Sequence, residues 1–233
     1  ASGTDGDGGG IYSQRPSSAR QATLLTVEDA TLTGNSAARN GGGVDAGPSS
    51  TFTNVTIQNS SAGGRGGGIY ARPSTSTSNN GNNSTFTNIT LDKNTADSGG
   101  GLYAIGNNAN IFTNVTANNN TADSFGGGIY GSGTFTGVSV ENNSAGENGG
   151  GIRIGGSSTL TDVTVRSNSA VGDGGGIDGS GGSTLTNATF ESNSAGGDGG
   201  GIDGSGTFTD VTIENNSAGG NGGGIYSRFG SAL

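Results

Sequence analysis

The chain has 233 residues, with 18 acidic against 9 basic side chains, a net charge of -9 and neither Cys nor His. That composition excludes disulfide stapling, thiolate catalysis, a Ser-His-Asp triad and ordinary zinc sites, and its sign disfavours nucleic acid and anionic membrane surfaces as partners. Only 27% of residues are hydrophobic and 52 are Gly, a balance that by itself points to disorder, but the apolar residues recur in register and can stack copy on copy.

In chain order, an apolar residue follows a run of Gly at Ile11, Val44, Ile69, Leu102, Ile129, Ile152, Ile177, Ile202 and Ile225, with steps of 33, 25, 33, 27, 23, 25, 25 and 23 residues. This period is short for paired helices, and segments rich in Gly, Thr and Asn are poor helix formers, so a solenoid of short strands is expected. Its clearest copy is TFTDVTIENNSAGGNGGGIY, residues 207–226. The first residues enter in mid-repeat, and the loop-like stretches near 13–22, 71–84 and 104–110 read as insertions that enlarge single coils.

Each later repeat is anchored by Val27, Phe52, Phe86, Phe112, Phe135, Leu160, Leu185 or Phe208. Apolar residues also stand three and five positions beyond each anchor, as in Phe208, Val211 and Ile213, and these columns should face inward. Same-face residues of a strand are two apart, so the odd step demands a bend. Two positions past the anchor stand Asp29, Asn54, Asn88, Asn114, Gly137, Asp162, Asn187 and Asp210, the residue types that take left-handed backbone most cheaply; a corner is expected there. Eight past it, Asn120, Asn143, Asn168, Asn193 and Asn216 predict a structural ladder of stacked amides. The Ala two residues later is small enough for an inward corner. These columns predict an all-β fold: a right-handed parallel β-helix with three short strands per coil and about eight to nine coils. It forms one domain over 1–233, with incomplete coils at both ends.

FESNSA, Phe190 to Ala195, carries the pattern FxxN, and each coil carries GGG before an aliphatic residue where a related pattern has GGA. In these features the chain resembles the repeats of the chlamydial polymorphic membrane proteins and related bacterial surface β-helices. The resemblance implies a secreted or surface-displayed solenoid, passenger-like and often adhesive, at an extracellular or cell-surface address.

Two outward columns could carry function. Thr134, Thr136, Thr159, Thr161, Thr184, Thr186, Thr207 and Thr209 belong to a TxT array, interrupted by Glu28 and Ile111, that looks like the ice-binding face of solenoid antifreeze proteins; Thr is also simply a good outward strand residue. The residue after each Gly-run aliphatic gives Tyr70, Tyr103, Tyr130 and Arg153, a stripe on which sugar rings could stack, or an ordinary ladder with a surface Arg153–Asp178 pair. Asp178 and Asp203 fall on neighbouring coils, near the separation of glycosidase carboxylates, but both lie in the same copied text GGGIDGSG and no catalytic residue is assigned. Thr4 to Gly9, TDGDGG, is turn chemistry rather than a calcium loop, and sequons such as Asn54-Val55-Thr56 and Asn142-Asn143-Ser144 fall out of the repeat. No cofactor or metal is expected. The partners expected are other copies of the chain stacked head to tail, with glycans or a host surface as alternatives; the work expected is structural or adhesive rather than enzymatic.

Overall fold

The computed structural model describes residues 6–13, 24–73, 83–106, 109–179 and 181–227, and among them every regular element is a strand. Each coil lays a strand on each of three sheets, and every pairing between coils is parallel, copy on copy. Phe52 pairs with Phe86, Leu160 with Leu185, and Leu185 with Phe208, as the anchor column requires.

The first sheet is built from long strands such as Thr51–Gln58, Thr85–Asp92 and Thr159–Arg166. Its Asn/Asp/Gly column takes the left-handed angle in all eight coils, with φ from 48° at Asp29 to 64° at Gly137. In most coils the strand runs on through it with the coil-to-coil register unbroken, and the left-handed residue reverses the side-chain alternation and so accommodates the odd step of three. Only the coils containing Asp29 and Gly137 break there, as Thr26–Glu28 with Thr31–Thr33, and Gly133–Thr136 with Ser139–Glu141.

The chain turns off this sheet five residues further on. Gly34, Asn59, Lys93, Asn119, Asn142, Ser167, Ser192 and Asn215 form a second left-handed column, with φ between 52° and 68°. Mixed chemistry hid this corner in the sequence. The next element is a two-residue strand, as in Ser169–Ala170 and Ser194–Ala195, which forms the second sheet with Ala inward. The Ala column is therefore a strand position, not a corner, so the third strand of each coil comes from here rather than from division of the long strand.

The third sheet follows each Gly triplet. In the coil of Ile177, Gly174 takes φ 66° and Gly175 lies against the backbone carbonyls of Ser194 and Gly200. The first glycine thus answers a backbone angle and the second a close approach between coils.

Inside, the aliphatic and aromatic columns merge into one continuous core. Phe52, Phe86, Phe112 and Phe135 are fully buried and stack at centroid separations of 5.2, 5.1 and 4.3 Å, with interplanar angles of 5°, 5° and 9°. At the corner beside this core the Asn column is buried. Asn168 Nδ2 donates to Val140 O at 2.9 Å and to Asn193 Oδ1 at 3.0 Å, while its Oδ1 accepts from Asn143 N at 2.9 Å and Asn143 Nδ2 at 3.0 Å. The pattern repeats through Asn94, Asn120, Asn143 and Asn193, each amide joining three coils, and ends at Asn216, which joins two.

The insertions are shorter at their edges than the sequence suggests. Ala71 and Ala104 close strands, Asn110 opens the strand Asn110–Asn118, and Arg72 and Ser84 are buried, because all of these belong to the coil wall. The interiors of the three stretches, 14–22, 74–82 and 107–108, lie outside the described residues.

Candidate functional site

The outer face of the third sheet gathers the most varied chemistry. Its register places Tyr70, Tyr103, Tyr130, Arg153, Asp178 and Asp203 on successive coils, as the sequence predicts. Their exposure departs from the prediction. Tyr70 is 7% and Tyr103 3% exposed, Asp178 and Asp203 are each 5% exposed, and Tyr130 and Arg153 are half-buried.

The cover comes from the turn that precedes each Gly triplet. Arg65 lies over the Tyr103 ring at 5.1 Å, Phe125 packs on Tyr130 at 6.3 Å, and Arg153 sits over Phe125 at 5.6 Å. The tyrosines also meet at steep angles, 51° for Tyr70 on Tyr103 and 64° for Tyr103 on Tyr130. A sugar needs a free ring face. Tyr70 and Tyr103 do not offer one, so the open stripe expected of this column is corrected to an interlocked aromatic–arginine layer.

Burial pushes the Tyr103 phenol up to about 12, with the Arg65 guanidinium opposing the rise. The native state therefore holds the proton above the ordinary phenol value of about 10, where an unfolded chain releases it. Its contribution to stability is complete below about pH 10 and is lost as pH rises towards 12. In an alkaline titration followed by phenolate absorbance, one tyrosine is expected to ionise near pH 12 and to vanish from the curve in Tyr103→Phe. An unchanged curve in that variant would remove the assignment.

Two Arg–Asp pairs belong to this layer. Arg153 pairs with Asp178. Arg72 Nη2 bonds Asp45 Oδ2 at 2.8 Å, with side-chain exposures of 5% and 0%, while its Nη1 donates to Ser13 O at 2.6 Å and its guanidinium lies 5.0 Å from the Tyr12 ring centroid. Arg72 was invisible in the sequence because it lies in a stretch that reads as a loop. The Asp178–Asp203 pair does stand on adjacent coils, but Asp178 is committed to Arg153 and both carboxylates are covered. Beside Asp203 is a cavity of about 10 Å³, lined mainly by Ile154, Ile177, Leu185, Ile202 and Phe208 and large enough for about one water.

Asp7 acts as a turn residue. Its Oδ1 accepts from Asn40 N at 3.2 Å and Asn40 Nδ2 at 3.0 Å, the same ladder geometry by which Asp198 Oδ1 accepts from Asn221 at 2.7 and 3.0 Å. The sequons share a structural origin: Asn54 supplies the left-handed residue and Thr56 the next-but-one outward position on the strand.

The outer face of the first sheet carries the threonines. Thr134, Thr159, Thr184 and Thr207 pair in one row and Thr136, Thr161, Thr186 and Thr209 in the next, none of them buried. A third row, four residues past the anchor, comprises Thr31, Thr56, Thr90, Thr116, Ser139, Thr164, Thr189 and Thr212. The sequence displays this column plainly, but it reads there only as a spacer between two inward columns.

Three parallel sheets wound from one repeating coil define a parallel β-solenoid. The chain belongs to the right-handed β-helix family, whose model, described as the right handed beta helix region, matches residues 9–195. The Chlamydia polymorphic membrane protein repeat matches residues 210–228, one coil beyond the FxxN-bearing segment. Together these matches suggest a surface-exposed repeat protein, outer-membrane or surface-associated. No curated protein and no solved structure matches the chain.

Proposed function

We propose that the protein is a non-enzymatic structural rod displayed at a cell surface, which associates with further copies of itself through the same coil-on-coil pairing that builds it. The observation that carries this reading is the identity of the pairing surface from coil to coil. Each long strand of the first sheet receives the next in one register, the Asn ladder passes through every junction, and the Phe stack crosses several. A surface that receives its own copy is heterologous and propagates rather than closing. Eight coils at the parallel-strand spacing give a rod of roughly 40 Å, to which each added copy contributes the same length.

The non-catalytic part of the reading is supported by where the charged groups are spent. Arg72 is committed to Asp45 and Arg153 to Asp178, inside a covered layer, whereas a glycosidase pair must reach its substrate.

Sedimentation and negative-stain microscopy of the purified chain over rising concentration are expected to show end-to-end dimers and filaments. Strictly monomeric particles at high concentration would overturn self-association. Depolymerisation of an acidic polysaccharide that disappears in Asp178→Asn would overturn the non-catalytic assignment.

A further inference from the structure

We propose that the threonine face of the first sheet binds ice, through three rows of hydroxyls and methyls rather than the two legible as TxT. In the coils of Leu160, Leu185 and Phe208 all nine outward positions of these rows are Thr, in unbroken register. Glu28 and Ile111, which interrupt the rows, lie in earlier coils.

The spacing follows from the backbone. Coils repeat at about 4.8 Å and the first two rows, two residues apart on one strand face, at about 6.7 Å, while the third row stands three residues past the second, across the left-handed residue. Water oxygens linked by hydrogen bonds of about 2.75 Å, arranged tetrahedrally, place second neighbours about 4.5 Å apart and repeat perpendicular to that direction at about 7.4 Å. For the first two rows the two lattices agree within about a tenth in both directions. Thr is stiff at χ1, so hydroxyls on such strands occupy few positions and lose little freedom when a lattice forms over them.

Charge selects the occupant. In a chain of net charge -9, only Glu28 among the charged residues stands in the three rows, with the exposed Asp29, Asp162 and Asp210 scattered in the left-handed column between the second row and the third. A polyanionic partner finds no cation in the rows and a polycationic one only these few carboxylates, whereas ordered water is met by hydroxyls at lattice intervals. This proposal is independent of self-association, because the face lies along the side of the rod.

The test is the gap between melting and freezing points of ice held in solutions of wild type, Thr164→Lys and, on the second sheet, Ser169→Lys, with folding of each checked by circular dichroism. Wild type is expected to open a gap that grows with concentration. Thr164→Lys should lose most of it and Ser169→Lys should retain it. Should Thr164→Lys fail to fold, Thr189→Lys, one coil further along the same row, makes the same comparison. No gap in wild type, an undiminished gap in the folded Thr-row variant, or an equal loss in Ser169→Lys would each overturn the proposal.

Discussion

Replacing Gly175 by Ala is expected to destabilise the protein by on the order of 3 kcal/mol or more, the upper range for overpacked cores. A Cβ there would lie 2.5 Å from the Gly200 carbonyl oxygen and closer still to that of Ser194. Both obstacles are backbone, held by the coil-to-coil hydrogen bonds Gly175 N to Gly199 O and Gly176 N to Gly200 O at 3.1 Å, so neither can swing away as a side chain would. The control is Gly34→Ala: Gly34 has φ 68° but no atom within 4 Å of its ideal Cβ. That change costs only the left-handed angle, about 1 kcal/mol. Equilibrium denaturation of the two variants separates space from backbone angle, and equal losses would refute the close-approach account.

Asn168→Ala is expected to cost roughly 3–5 kcal/mol, since buried groups that lose their partners cost about 1–3 kcal/mol each. The substitution takes the acceptor from Asn143 N and the donor from Val140 O, both at a buried corner. Asn187→Ala removes a rung of the outer ladder, where Nδ2 donates to Asp162 Oδ1 at 2.5 Å in exposed surroundings. There water replaces the partner and the loss is about 1 kcal/mol, mostly the left-handed angle that Ala tolerates less well. Urea midpoints measure both, and a ladder that merely decorates the corner would make the two variants alike.

The contrast between the two Asn columns also shows what could be read early. Either column is visible as a run of Asn, and the left-handed angle at Asn54, Asn88 and Asn187 follows from residue type alone. That angle reverses the side-chain alternation, and the neighbouring coil repeats it in the same register. Lys93, Ser167 and Ser192 in the second left-handed column carry no such signature, so that turn is set by the coil's closure rather than by its residues. The candidate sites divide in the same manner. Both TxT rows were legible, but the third Thr row turned outward only because the left-handed residue reverses the alternation.

By itself the sequence determined the coil: its period, its inward columns, its parallel register and the inner Asn ladder, because strand alternation and the left-handed preference of Asn, Asp and Gly act within a few residues. Only the tertiary structure decided which outward residues remain outward. Tyr103 is covered by Arg65, and Asp45 is held by Arg72, 27 residues away along the chain. Burial of an outward column depends on what other coils lay over it, and side chains that meet through space from different turns leave no periodic trace in the text of any one of them.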